Sequence, residues 1–541
     1  MEHTILKKHP VQTRYIHALV LCFALSILPA FSMPYTMPVI SSTEVADSVN
    51  TRYTELANKS NVIWSSLVAI DIDSVLYSDS LQLFLDNETV SVYTTYNNTE
   101  NGFYAHYSSS DNGTDVYLSI LDNCIMGSIH AASGQYSLQS VSLNEVAIIK
   151  FGDTMIYEEP EMANSEIDSA NDSDEYIRTS SGTPIIRVLF LYTDSAFRMM
   201  GSYQPNTKLK QVVYNYINNG NESFNNSNFD AHLQLAYIGP TNYKEANYSW
   251  NSVLQHFSGS SDGYMDEVHT LRDKYKADVC VLFQGKNNYC GEAKTIKANA
   301  NTAFCIVHPS NGCNGKYTAV HEIGHLIGCR HNYSADANLI PYIYGHGYYH
   351  YIDGYSSISW RTMMAYGDDC GGSEYNCNRI LYWSNPNIQY GGIATGTTNL
   401  ENNARVWNER AETVAAFKNE ENEINFTATD NNLLSLYESI KATSSISVGN
   451  GFEVQPGQTV EMCAPTIELL AGTYIKAGAK VLAHTNPSTS TPYPQFVSKR
   501  ATEPAIEQAQ TSISTTKFFR NGQLLIRQGN RVFTPSGIFG F

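Results

Sequence analysis

The sequence predicts a multidomain chain: a central α+β unit, a mixed sheet with helices packed on it, preceded by a β-rich unit and followed by a small all-β module. Three observations point there. Between 33 and about 157, short runs alternate apolar and polar residues, as in Leu81-Gln-Leu-Phe-Leu85 and Val116-Tyr-Leu-Ser-Ile120, the period of a half-buried strand. From 185 onward, strand-like and helix-like runs take turns, the rhythm of βαβ units. Beyond 421, positions 446–460 and 467–481 share one pattern offset by 21 residues: Ile446/Ile467, Gly451/Gly472, Val454/Ile475, Gly457/Gly478 and Val460/Val481 among them. Glycines between short apolar strands at fixed spacing suggest tight turns, though two repeats alone make a poor solenoid.

Size and charge narrow the functional classes. The 541 residues suffice for three or four units of roughly 150 residues. Asp and Glu outnumber Lys and Arg by 52 to 34, a formal charge of −18, so nucleic acid and anionic lipid would be repelled and neither is expected as a partner. Apolar residues at 42% and aromatics at 12% exclude a disordered chain.

Along the chain, residues 1–32 read as a secretory signal: Lys7, Lys8 and Arg14, then the apolar run Ala18 to Leu28, then Ala30-Phe31-Ser32. After it, no run approaches the roughly 18 apolar residues of a membrane-spanning helix. The β-rich unit and its linker occupy 33–182. Glu158 to Glu175 holds eight acids and no base, as a solvated linker does. The central unit, 183–420, opens on the strand Ile185 to Tyr192. It continues through a helix around Leu209 to Ile217, a strand His232 to Ile238, a helix carrying Met265, Val268, Leu271 and Tyr275 on one face, and a buried strand Ala277 to Phe283. It closes on a helix from Glu401 to Lys418. The all-β module spans 421–490. A polar linker and a C-terminal hairpin at Asn521-Gly522 and Gln528-Gly529 fill 491–541.

The chemistry concentrates in Ala319-Val-His321-Glu322-Ile-Gly-His325-Leu-Ile-Gly328-Cys-Arg-His331. On a helix, His321 and His325 stand one turn apart on one face and reach one metal ion. Val320, Ile323 and Ile327 take the other face. Glu322 adjoins the first ligand, where a carboxylate meets metal-bound water without binding the metal. Gly328 can adopt φ > 0, so the chain turns back and His331 supplies a third nitrogen. Three protein ligands leave a position open, the pattern of catalytic rather than structural zinc.

A second element, Arg361-Thr-Met-Met364-Ala-Tyr366-Gly, completes a resemblance. With the long histidine motif, it is similar to the metzincin clan of zinc metalloendopeptidases. The reprolysin-like and bacterial peptidyl-Asp metallopeptidase branches look nearest, through IIRVLFLYTDSA, MMAYGDDC, Tyr382-Trp-Ser-Asn-Pro386 and ARVWNERAETVAAF. The resemblance covers roughly 183–420. It implies a metzincin-like fold there, Met364 as a soft platform beneath the ligands, and Tyr366 as either packing or a group approaching the metal and the reacting carbonyl. His308 and the Cys305 to Cys313 stretch depart from the clan's pattern, so no side-chain preference is carried across.

The implied reaction is hydrolysis of internal bonds in extended polypeptides by a zinc-activated water, with Glu322 as general base. Strand Asn299 to Val307 is the expected substrate edge. Calcium is a second candidate ion. Secreted relatives carry a propeptide, which implies that 33–182 keeps the enzyme latent and that cutting near Arg178 releases it. Cys124 and Asp153, or an acid from Glu158 to Glu175, are the candidates for a temporary metal ligand there, with a buried structural thiol as the other reading of Cys124. Seven cysteines between 280 and 377 suggest a disulfide framework. Cys280, inside an apolar strand, is expected free; the six others allow 15 pairings, Cys370 with Cys377 foremost. Lys517 to Phe541 resembles a C-terminal export or surface-attachment segment, with a plain terminal hairpin as the alternative. The rival function is a surface adhesion or glycan-binding protein on a degenerate protease fold, against which the intact Glu322 argues. Hydrolysis of a non-peptide amide is a third reading.

Overall fold

A computed structural model describes residues 34–152 and 183–484, short loop stretches apart, and the strands within 515–539. The signal segment, the acidic linker with Asp153 and Arg178, and the polar linker 485–514 lie outside the described residues.

The N-terminal unit is a nine-stranded sheet in which seven consecutive strands from Ser80 to Phe151 form an antiparallel meander. Its first hairpin shows why. Leu81, Leu83, Leu85, Val90 and Val92 are buried at a period of two, while Phe84 between them is 36% exposed, and Leu83 pairs with Val90. Tyr35–Thr36 runs alongside Leu81 and Gln82 at one edge. A few residues later Val39 bridges Val68 at the other. That crossing closes the sheet into a barrel around its own core, which removes both edges.

In the central unit, β1 (Ile185–Tyr192) leads through helix α1 (Pro205–Ser227) to β2 (His232–Pro240). Helices α2 (Trp250–Ser258) and α3 (Glu267–Tyr275) follow, then β3 (Val279–Phe283), β4 (Gly291–Ala293) and β5 (Phe304–Val307). The strands lie in the order β4-β5-β3-β1-β2. All run parallel except β4, which pairs antiparallel with β5. Burial on both faces explains the near-continuous apolar runs of β1, β3 and β5. Two expectations change. The strand expected over Asn299 to Val307 is only Phe304–Val307, and β4 covers its outer side at Cys305 to Val307. The sheet edge is therefore Gly291–Ala293. Helix α1 also runs ten residues past Ile217, because its polar C-terminal half is buried under neighbouring units rather than facing water.

The C-terminal module is more regular than two repeats suggested. Ser445–Val448, Glu453–Val454 and Thr459–Cys463 lie parallel on the strands 21 residues later, Ser445 opposite Thr466 and Thr459 opposite Lys480. An earlier coil stacks beneath them at 22 residues, Glu423 opposite Ser445 and Tyr437 opposite Thr459. Three stacked coils enclose Phe426, Ile446, Val448, Phe452, Val454 and Val460, which makes a short parallel solenoid. Its strand Tyr437–Lys441 pairs antiparallel with β2 at Tyr237 and Ile238, so solenoid and central sheet are continuous. Strands Thr515–Arg520 and Gln523–Gln528 then pair antiparallel, where the terminal hairpin was expected.

Two disulfides form among the described residues, Cys290–Cys313 and Cys370–Cys377. Cys280 is free and buried, as expected. Cys305 and Cys329, expected in the framework, are also free and buried.

Candidate metal centre

Helix α4 (Thr318–Ile327) carries the histidine pair. Its apolar residues Val320, Ile323 and Ile327 enter the core shared with β1, β3 and α1. Glycines let it sit close to its neighbours. A Cβ on Gly324 would lie 2.7 Å from Met364 Sδ and 2.8 Å from the Trp383 ring, so Met364 lies directly under the helix. Trp383 is itself fixed by its indole N–H donating to Ser223 Oγ at 2.8 Å. Gly328 ends the helix at φ 127°, the conformation the sequence required of it. The returning chain is pinned where Arg330 N–H donates to Gly345 O and His346 Nδ1 bonds to His331 O.

The three imidazoles converge. Nε2 of His331 lies 3.2 Å from Nε2 of His321 and 3.0 Å from Nε2 of His325. A zinc ion with Zn–N distances of about 2.0–2.1 Å and tetrahedral angles sets its nitrogens about 3.3 Å apart, so this spacing suits one ion bound by all three. The opposite ring nitrogens are engaged: His321 Nδ1 with Met363 O at 2.8 Å and His325 Nδ1 with Cys329 O at 2.9 Å. Donation from Nδ1 to a carbonyl selects the tautomer whose Nε2 lone pair faces the centre, as in metal sites generally. All three rings are at most 3% exposed. Among the described residues, this is the cluster of histidine, cysteine or acid that could hold a metal, and no comparable group of acids offers a calcium site.

Around the imidazoles, Glu322 is fully buried, and its Oε1 lies against Gly291 so closely that a Cβ there would run into it. The carboxylate thus sits where the edge strand passes. Tyr366 stacks on His331, ring centroids 3.9 Å apart. Its backbone N–H donates to Asn332 Oδ1 at 2.8 Å, which ties the histidine return to the methionine turn. Cys124 is elsewhere. Its thiol is buried beside Ser140 and Lys208, and burial pushes it up to about 11, so it is neutral at ordinary pH and does not join the imidazole cluster. Asp153 lies outside the described residues. Sequence reasoning missed Gly291, Asn332 and His346 as members of the site, and met Trp383 only inside a motif. Gly291 leaves room for the Glu322 carboxylate, while Asn332 and His346 bond through their side chains to the backbone of Tyr366 and His331.

Three imidazoles that could hold a metal, the glycine turn and a methionine under the helix are the arrangement expected of a metallopeptidase centre, and comparison with known proteins agrees with that class. Residues 182–384 match the model of a reprolysin branch of metallopeptidase family M12. Three relatives carry the name peptidyl-Asp metalloendopeptidase. That of Stenotrophomonas maltophilia (strain K279a) is 40% identical over 249 residues, 46% of this chain and 56% of the relative. That of Xanthomonas campestris pv. campestris is 38% identical over 242 residues, 44% and 54%. That of Pseudomonas fragi is 34% identical over 170 residues, 31% of this chain and 84% of the relative. The chain thus spans little more than half the length of the first two relatives. It belongs to the M12 metallopeptidase family, within the metzincin-like enzymes.

Proposed function

We propose that this chain is an exported zinc-dependent endopeptidase, made latent, that cleaves internal bonds of extended polypeptides. The convergence of His321, His325 and His331 with a buried carboxylate one residue from the first of them carries the reading. Zinc held by the three imidazoles would supply Lewis acidity to the substrate carbonyl and to water. An extended peptide added beside β4, the last strand of its sheet, makes main-chain hydrogen bonds that hold its backbone in line and passes Gly291, where Glu322 waits. Glu322 takes a proton from the attacking water on a carboxylate oxygen and returns it to the leaving nitrogen. Tyr366, braced on His331, is the candidate donor to the carbonyl oxygen as charge grows there.

The N-terminal barrel is read as the propeptide, removed by a cut between 152 and 183, and the first segment as the export signal. The relatives' shared name makes a peptide containing aspartate the first substrate to try. The test is a quenched peptide library assayed with wild type and Glu322→Ala. The variant is expected to keep one equivalent of zinc and lose at least about a thousandfold in kcat/KM; retained cleavage would sink the assignment. N-terminal sequencing of the secreted form, expected to begin near residue 179, checks the latency.

A further inference from the structure

The barrel has a core of its own. Of its buried apolar side chains, Tyr104, Tyr117 and Met126 are the ones that join the core of the central unit. Tyr96 and Leu121 pack on that core from its rim, Arg52 and Glu55 reach Tyr203 and Ser202, and the buried polar contact is concentrated on one face of α1, at Gln211, Asn215, Asn219 and Glu222, spaced as one helix stripe. Gln211 Nε2 donates to Cys124 O at 2.8 Å and Ser119 O at 3.1 Å. Tyr104 O–H reaches Asn219 Oδ1 at 2.5 Å and Glu222 Oε2 at 2.8 Å. A cavity of about 40 Å³ lies in the same seam, between Tyr117, Met126 and Ser137 on the barrel and Val212, Asn215 and Tyr216 on the helix. A polar, imperfectly filled seam between two separately cored units is the anatomy of an interface made to part.

At its centre sits one histidine. His106 Nδ1 is 2.6 Å from Glu222 Oε1, and Nε2 is 3.0 Å from Asp115 Oδ1. Its ring stacks on Tyr117 at 4.3 Å, and Tyr117 meets Tyr317, the residue before α4, edge-on at 5.8 Å. We propose that residues 34–152 are a separable partner of the central unit, held on α1 by the clasp Asp115–His106–Glu222, so that they stay bound after the connecting chain is cut and let go as the medium turns alkaline. Only the cut rests on the propeptide reading; the docking itself is measured without catalysis.

The sign follows from what each unit contributes. Glu222 belongs to the central unit, whereas Asp115 leaves with the barrel. Burial opposes a charge on His106, but Glu222 and Asp115 outweigh it and raise the group to about 10. Around the clasp, Tyr382 and Tyr390 are raised by burial and stay neutral, and the one nearby cation among the described residues, Arg379, acts on Tyr317. His130, near Tyr117, is pushed down to about 4 by burial. Tyr104, Tyr117 and Tyr317 are pushed well above their ordinary value by burial, so they stay neutral. A histidine whose docked value exceeds its free one takes up a proton on docking. The undocked barrel keeps Asp115 beside His106, which holds the free value above that of an isolated imidazole. The contribution is complete below that free value and is lost as pH climbs through about 10, weakening binding by up to about tenfold per pH unit.

The experiment keeps the full chain and silences it with Glu322→Ala. A recognition sequence for an added site-specific protease replaces part of 158–175, the protein is nicked, and association of the halves is followed by size exclusion and by dilution. At pH 6 the halves are expected to co-elute. Between pH 7 and 9.5 the dissociation constant should rise at least about tenfold, a slope that His106→Gln flattens. Glu222→Gln, on the other side of the seam, should weaken binding at pH 6 by about tenfold or more and also flatten the slope, which keeps the test intact if the barrel variant misfolds. Halves that separate at pH 6, or that hold equally from pH 6 to 9.5, would overturn the proposal. So would a variant pair, folded by thermal melt, whose slope matches wild type.

Discussion

Tyr366 and Glu322 divide the work of the site differently, and single substitutions separate them. Glu322 is buried with its Oε1 so close to Gly291 that a Cβ there would run into it, whereas Tyr366 both stacks on His331 and offers a hydroxyl. Tyr366→Phe keeps the stacked ring and removes only the hydroxyl. We expect unchanged zinc content and KM with kcat lowered about ten- to a hundredfold, the loss of one hydrogen bond made in the transition state. Steady-state kinetics with metal analysis checks it, and an unaltered kcat would leave the ring as packing alone. At this scale the sequence was a good guide. His321, His325, His331 and Gly328 stand where the spacing put them, because a helix followed by a φ > 0 glycine permits few arrangements, and Met364 lies under the helix where the resemblance, not the spacing, placed it. Cys305 could have been read as free by the argument used for Cys280, since both sit in wholly apolar strands. Cys329 gave no such sign.

The edge strand and the metal helix are joined by a device that sequence showed only as two cysteines among seven. Cys290 immediately precedes β4, and Cys313 lies five residues before α4, so their bond ties the strand beside which substrate would lie to the approach of the helix that bears Glu322. The bond closes a loop of 23 residues, for which chain entropy gives about 3 kcal/mol. Replacing both cysteines by serine should lower stability to urea by about that amount. It should also raise KM more than it lowers kcat, since the strand is freed and the imidazoles are not. Unchanged stability and kinetics together would show that the pairing is incidental. A contrasting change lies under the helix: Gly324→Ala forces a methyl against Met364 Sδ and Trp383 and should cost about 1–3 kcal/mol, read as a lower melting temperature. The length of α1 escaped the sequence for a related reason. Asn218, Asn219, Asn221 and Glu222 are buried yet polar, the last three paired by Tyr104, the backbone of Leu233 and His106, so no apolar periodicity marks its second half.

Three coils of solenoid hang on the far side of the catalytic sheet from β4, and the attachment is narrow. Strand Tyr437–Lys441 pairs with β2 only at Tyr237 and Ile238. Beside it, Lys274 Nζ lies 3.3 Å from Asp430 and 4.7 Å from the Phe426 ring centroid. The 21-residue repeat was legible in its glycines, but the first coil was not. It is one residue longer and turns its corner through the 3-10 segment Ala428–Leu433, so the period breaks where a third copy was needed to recognise a solenoid. Ending the chain at Lys418 tests what the attachment does. Lys418 itself must stay, because its N–H donates to the buried Asp278 at 3.0 Å. The shortened protein keeps every group of the metal site, so zinc content and kcat/KM should remain within about twofold of the full chain. It also bares the β2 edge, whose unpaired N–H and C=O groups invite a second chain, and loses the Lys274 contacts. A melting temperature several degrees lower and concentration-dependent association in light scattering are the expected results. A shortened chain that melts with the parent and stays monomeric would mean that the central sheet tolerates an open edge and that the solenoid serves something other than its stability.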